Sequence, residues 1–166
     1  MKHFLSLLAG PLLAGACATT PTPTSTPAGA AVERLQITEL IARFTDAASR
    51  RDFATMPELF VEDAVWEADA EGLGFRHHGR DEIRRWLTDN PNRVEVVFYL
   101  AVPTVVELDG PDRARTRTLM TELLRKLDTG EHLQLFGTYD DELVRRDGRW
   151  QFARRRFQLA YLRPLP

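Results

Sequence analysis

The chain has 166 residues, of which 43% are hydrophobic and 28% charged, and a formal net charge of -2. This is enough for one globular domain and excludes wholesale disorder. The near-neutral balance argues against a nucleic-acid binder, with the arginines between Arg145 and Arg163 reading as a solvated strand face.

The N-terminal stretch MKHFLSLLAGPLLAGACATT has Lys2 as a positive start, an apolar run from Phe4 to Leu13, and the small residues Ala14, Gly15 and Ala16 before Cys17. It reads as an export signal over residues 1–16, because a permanent span needs about 20 apolar residues. Cys17 is the only cysteine, so no intramolecular disulfide can form, and its position resembles the lipidation site of bacterial lipoproteins. The expected location is a membrane-anchored lipoprotein facing the periplasm; a soluble exported protein is the alternative. Residues 17–31 are Pro- and Thr-rich and lack periodicity, as an extended tether would. The folded domain is expected over 32–166.

From Val32 the period is helical. Ile37, Leu40, Ile41, Phe44 and Ala48 form one apolar stripe, and the helix should end near Arg51. Asp52 is placed to cap a short second helix ending at PELF, with Leu59 and Phe60 as packing residues. AVWEA and FRHH read as short strands around the glycine-rich turn EGLG. RDEIRRWLTD reads as a third helix with Ile83, Trp86 and Leu87 on one face.

The remainder alternates as strands. RVEVVFYLAVPTVVEL is long and apolar, with Pro103 marking a bulge or an edge. DGPD turns into the strand Arg115–Lys126, DTG into HLQLFGTYDDELVRR, and DG closes a hairpin onto RWQFARRRFQLAYL. Helices followed by long antiparallel strands indicate an α+β fold, in which the first helix lies in the concavity of a strongly bent sheet and leaves a pocket between them.

One residue interrupts the alternation. Glu122 falls in line with Ala114, Thr116, Thr118, Met120 and Leu124, the less charged side of its strand. An inward carboxylate loses hydration, which raises its pKa unless a cation compensates. Two readings stay open: a general base or acid, with Tyr99 or Tyr139 as hydrogen-bond donor, or a structural acid paired with Arg154 or Arg156.

His77 and His78 are further candidates as proton carriers. Adjacent strand residues point to opposite faces, so they cannot form a two-ligand metal site, and His132 stands alone. If His77 is not in the pocket it should be solvent-exposed, and His78 should order the turn into GRDEI. Trp66, Trp86 and Trp150 read first as core, and Tyr139 with Asp141 as sheet-stabilising positions. No phosphate loop or Ser-His-Asp pattern is present, and neither cofactor nor metal is expected.

ELIARFTDAASRRDFATMPELFVEDAVWE, HGRDEIRRWL and GTYDDELVRRDGRWQFARR resemble the SnoaL-like branch of the nuclear transport factor 2-like superfamily, over about Val32 to Leu162. The resemblance implies the cone-shaped fold, a small-molecule pocket and frequent homodimers through the exposed sheet face. Dehydratase-like members place a Tyr on the first helix, an Asp five residues later, a His on the first long strand and an acid on the next. The matching positions here hold Phe44, Ser49, Phe98 and Glu122, so only the acid is kept. The first reading is therefore an exported, non-catalytic pocket protein in which Phe44, Ser49, Trp66, Phe98, Met120 and Glu122 contact a small apolar ligand. Ketosteroid-isomerase relatives need little beyond a carboxylate and an oxyanion donor, which leaves proton transfer by Glu122 as the second reading.

Overall fold

The computed structural model describes residues 26–69, 74–89 and 94–166. The leader, Cys17 and most of the tether lie outside the described residues. Helix α1 spans Pro27–Arg50, five residues earlier than the apolar stripe suggested. Thr26 caps it, accepting a hydrogen bond from the Gly29 N–H at 3.1 Å, and Pro27 occupies the first helical turn, where a missing N–H costs nothing. It ends at Arg51, a left-handed residue (φ 58°) whose N–H reaches the Ala48 carbonyl at 3.0 Å.

Asp52 then accepts a hydrogen bond from the Thr55 N–H at 3.1 Å. The element that follows is one turn of 3-10 helix, Met56–Leu59, which buries Met56 and Pro57. Phe60, already in extended conformation (φ -104°, ψ 152°), opens strand β1 instead (Phe60–Asp69). Strand β2 (Phe75–His78) and helix α2 (Arg80–Asp89) follow, with Ile83 and Leu87 buried. The four long strands are β3 (Val94–Leu108), β4 (Arg113–Lys126), β5 (His132–Arg146) and β6 (Arg149–Pro164).

All six strands form one open sheet in the order β2-β1-β6-β5-β4-β3. Neighbours are antiparallel except β1 and β6, which run parallel, so the sheet is mixed. The Phe44 side chain shows how far it bends. Its ring lies 5.9 Å from Trp66 on β1, 6.0 Å from Tyr99 on β3 and 5.8 Å from Phe152 on β6. One residue of α1 can touch both an edge strand and a strand next to the opposite edge only if the sheet curls around the helix.

Bulges in β3 and β6 accompany the curvature, and the pairing of β1 with β6 also shifts register between Phe60 and Val65. In β3 the register against β4 shifts at Val97 and again at Thr104, beside Pro103 on this edge strand. In β6 the register against β5 shifts at Ala153 and at Ala160. Each adds one residue, and because side chains alternate with period two, each reverses which later residues face inward. Strand β4 has no such shift against β5, and its row Ala114, Thr116, Thr118, Met120 is buried as strict alternation requires.

Candidate active-site cavity

The concave side holds a cavity of about 150 Å³ between α1, α2 and the far half of the sheet. Phe44, Trp66, Phe75 and Trp86 form an aromatic wall; Val96, Met120 and Leu124 form the sheet side. The Trp66 and Trp86 rings meet edge-on at 5.2 Å, and Phe75 lies 4.7 Å from Trp86. These pairings hold the wall in one arrangement.

Three titratable side chains interrupt the apolar lining: Glu122, Tyr99 and Tyr139. Glu122 keeps intermediate exposure, and it borders the cavity. Among the described residues no salt bridge or hydrogen bond engages its carboxylate. Loss of hydration is therefore uncompensated, and burial pushes its pKa up to about 7. Arg154 and Arg156, the cations weighed as its partners, point to the other face. Arg154 donates to Glu67 at 3.0 Å and Arg156 to Asp69 at 2.8 Å.

Tyr99 and Tyr139 are both buried, and burial raises both phenols, Tyr139 to about 12 and Tyr99 well above its ordinary value. The Tyr99 hydroxyl makes no hydrogen bond to the protein, although the Tyr139 phenol neighbours it. Behind them lies Arg155, wholly buried, with its Nε 3.7 Å from Asp141 Oδ1. Asp141 in turn accepts from Thr116 at 3.3 Å; burial lifts its carboxyl to about 6 against the opposing pull of Arg155. A carboxylate near neutrality, two phenols and an apolar enclosure can remove a proton and hold negative charge on oxygen.

The model of the SnoaL-like domain matches residues 30–156. The chain belongs to the SnoaL-like domain family. It is similar to an uncharacterized protein of Mycobacterium tuberculosis, 26% identical over 124 residues that span 74% of this chain and 82% of that protein. Among solved structures it superposes on the hexachlorocyclohexane dehydrochlorinase LinA-type3 of Novosphingobium barchaimii with TM-score 0.71 and 19% identity, covering 82% of this chain and 92% of that one. A ketosteroid isomerase-like protein of Erwinia carotovora atroseptica gives TM-score 0.68 and 18% identity, over 78% and 98% of the two chains. At these identities the solved structures establish the shared nuclear transport factor 2-like fold.

Within this SnoaL-like frame several expected ligand contacts lie elsewhere. Phe98 is 52% exposed on the outer face. The bulge at Val97 is the reason: Val94 and Val96 face the cavity, the extra residue reverses the phase, and Tyr99 turns inward in place of Phe98. Ser49 does not line the cavity; its hydroxyl donates to the Tyr99 carbonyl at 2.8 Å and ties α1 to β3. Phe44, Trp66, Met120 and Glu122 do line it.

The histidines sit beside the cavity. His77 is not solvent-exposed, as expected, but is largely covered between Phe75 and Trp86, both 5.1 Å from its ring, with Nδ1 3.5 Å from Glu82. His78 is exposed and accepts a hydrogen bond from Arg76, while its own N–H donates to Glu82 at 2.8 Å. Among the described residues no group of three or more metal-ligating side chains comes together.

The sequence reading passed over Arg155, Phe75 and Val96. Spacing carried the signal for Arg155. Phe152 and Phe157 are five residues apart, an odd interval, so both can face inward only across a bulge, and the residue that then faces in between them is Arg155, not its neighbours.

Proposed function

We propose that this SnoaL-like domain catalyses proton transfer on a small, largely apolar cyclic molecule, with Glu122 as general base and Tyr139 and Tyr99 as hydrogen-bond donors to the oxygen that gains charge. The carrying observation is that Glu122 borders an aromatic cavity without a cationic partner and is held near pH 7. A base poised there is half ionised at neutral pH, where a carboxylate of ordinary pKa would be too weak to abstract a carbon-bound proton efficiently. The dehydrochlorinase and the isomerase-like protein support the reading as relatives in fold. The cavity volume, close to one that accepts benzene, suits a single ring.

The dehydratase arrangement of the family does not serve here. Phe44 cannot polarise a hydroxyl, and Phe98 supplies no imidazole and faces outward. Proton abstraction and return, as in isomerisation, needs only the acid and the donors. Glu122→Gln keeps the shape and removes the base. It should retain uptake of an aromatic probe such as toluene, read by thermal shift, while hydrogen–deuterium exchange catalysed on a cyclic enone falls to background. Exchange undiminished in Glu122→Gln would eliminate Glu122 as the base.

We also propose that the mature chain is exported and tethered through Cys17, on the strength of the small residues preceding that sole cysteine. A homodimer through the outer sheet face is supported by the exposed Phe98, Leu100, Val102, Leu119, Phe136 and Tyr161.

A further inference from the structure

Arg155 is 0% exposed, the largest wholly buried side chain among the described residues. Its guanidinium carbon lies 3.9 Å from the centroid of the Tyr139 ring, 4.1 Å from Phe44 and 4.5 Å from Phe152. No protein acceptor takes a hydrogen bond from Nε or either terminal nitrogen, and Asp141 stops at 3.7 Å. A guanidinium does not escape burial by losing its proton. Its charge is therefore expressed chiefly through the π-faces that cage it. Only one of those three rings carries an ionisable proton, and that ring also borders the cavity.

We propose that Arg155 is a positioning residue that acts on the cavity through Tyr139: the guanidinium stacked on this ring strengthens the phenol as a hydrogen-bond donor, so the cavity favours ligands that carry negative charge on oxygen over neutral isosteres. The groups facing Tyr139 come from four strands: Tyr99 on β3, Glu122 on β4, Asp141 on β5 and Arg155 on β6. The two carboxylates favour the protonated phenol, and Arg155 is the one cation opposing them. Asp141 offsets it only in part: its Oδ1 forms an ion pair with Nε at 3.7 Å but stands beyond hydrogen-bond reach, and its Oδ2 is shared with Thr116. When a base removes a proton from a ligand, the charge that appears on oxygen meets a donor already polarised from behind, in a setting with little water to reorganise.

The catalytic meaning rests on the proton-transfer reading; the coupling of Arg155 to Tyr139 does not. The test places 3,5-difluorotyrosine, a more acidic phenol, at position 139 of the full chain and follows its titration by fluorine NMR. Arg155→Met should raise the phenol pKa by on the order of one to two units, and Asp141→Asn, which removes the opposing anion, should lower it. A residue that merely fills space would not produce shifts of opposite sign, and an unmoved titration in both variants overturns the proposal. Should either variant fail to fold, the wild type decides. The probe at position 139 must titrate below the same probe at position 99, whose ring Arg155 does not cover, and the reverse order overturns the proposal. Opposite-signed shifts in a protein that exchanges no proton on any enone would retire the proton-transfer reading and leave this coupling intact.

Discussion

Tyr99 lies directly across the β3–β4 ladder from Glu122, and both side chains border one cavity. The pairing gives the carboxylate a neighbour that can donate a hydrogen bond but cannot neutralise it. The folded pKa of Glu122, about 7, stands above its ordinary value of 4.5, so the native state binds this proton more tightly than the unfolded chain. Its stabilising contribution is complete below about pH 4.5 and is lost as the pH rises through about 7. Glu122→Gln should therefore exceed the wild type in stability at about pH 8, by on the order of 2–3 kcal/mol, and match it near pH 4. Urea unfolding at the two pH values measures this, and a difference independent of pH would contradict it.

Arg155→Met should behave in a related way through Asp141. That carboxyl titrates near 6 with the guanidinium beside it and must rise further without it. Above that range the variant buries an anion with no counter-ion, at a cost of about 3–5 kcal/mol. In acid the carboxyl protonates and the deficit should shrink. Thermal unfolding at about pH 5 and pH 8 reads the difference, and a larger deficit at the lower pH would refute the assignment.

Gly137 on β5 pairs with Leu159 of β6, beside the bulge at Ala160. A Cβ there would stand 2.5 Å from the Gln158 carbonyl oxygen and closer still to the edge of the Phe157 ring, and neither obstacle is a flexible chain end. Phe157 in turn packs 5.2 Å from Tyr139. Gly137→Ala should cost about 1–3 kcal/mol by overpacking and loosen the cavity wall behind Tyr139. Chemical denaturation provides the number; a neutral substitution would mean that the two strands separate more easily than their register suggests.

The outer face offers a separate check. Phe98→Lys combined with Leu119→Glu places charges on the exposed apolar strip without touching the cavity. Sedimentation should show a dimer for the wild type and a monomer for the double variant, with aromatic-probe uptake unchanged. A monomeric wild type would remove the proposed interface.

For the N-terminus, Cys17→Ser should release into the soluble exported fraction a protein that otherwise partitions with membranes. Identical fractionation of the two would remove the lipid anchor.

The fold was legible because its signals are periodic. The stripe Ile37, Leu40, Ile41, Phe44 marked α1, and the unbroken alternation of β4 placed Met120 and Glu122 on one row, both at the cavity. Alternation failed where a strand changes phase. Phe98 was placed inward by the family's position for a strand histidine, and Arg154 and Arg156 were weighed for Glu122 as arginines of a neighbouring strand; in each strand one bulged residue sets the phase instead. A bulge arises from curvature imposed by distant packing, here the wrapping of the sheet about Phe44, which no local window of sequence contains. The early start of α1 was missed for a different reason: Pro27 and Gly29 read as tether by composition, yet a proline in the first turn behind a capping threonine is compatible with a helix.

The extra residue at Val97 also gives this architecture a way to change its chemistry without replacing any side chain. Sliding the bulge along β3 from Val97 to Leu100, with no residue added or lost, would send Phe98 into the cavity and turn Tyr99 out to the surface, exchanging a phenol for a bare ring beside Glu122. Relatives that carry the bulge at different points of this strand would have equivalent columns in an alignment but different walls in space. The position of one bulge in an edge strand is thus a lever on the cavity as direct as mutation of its lining.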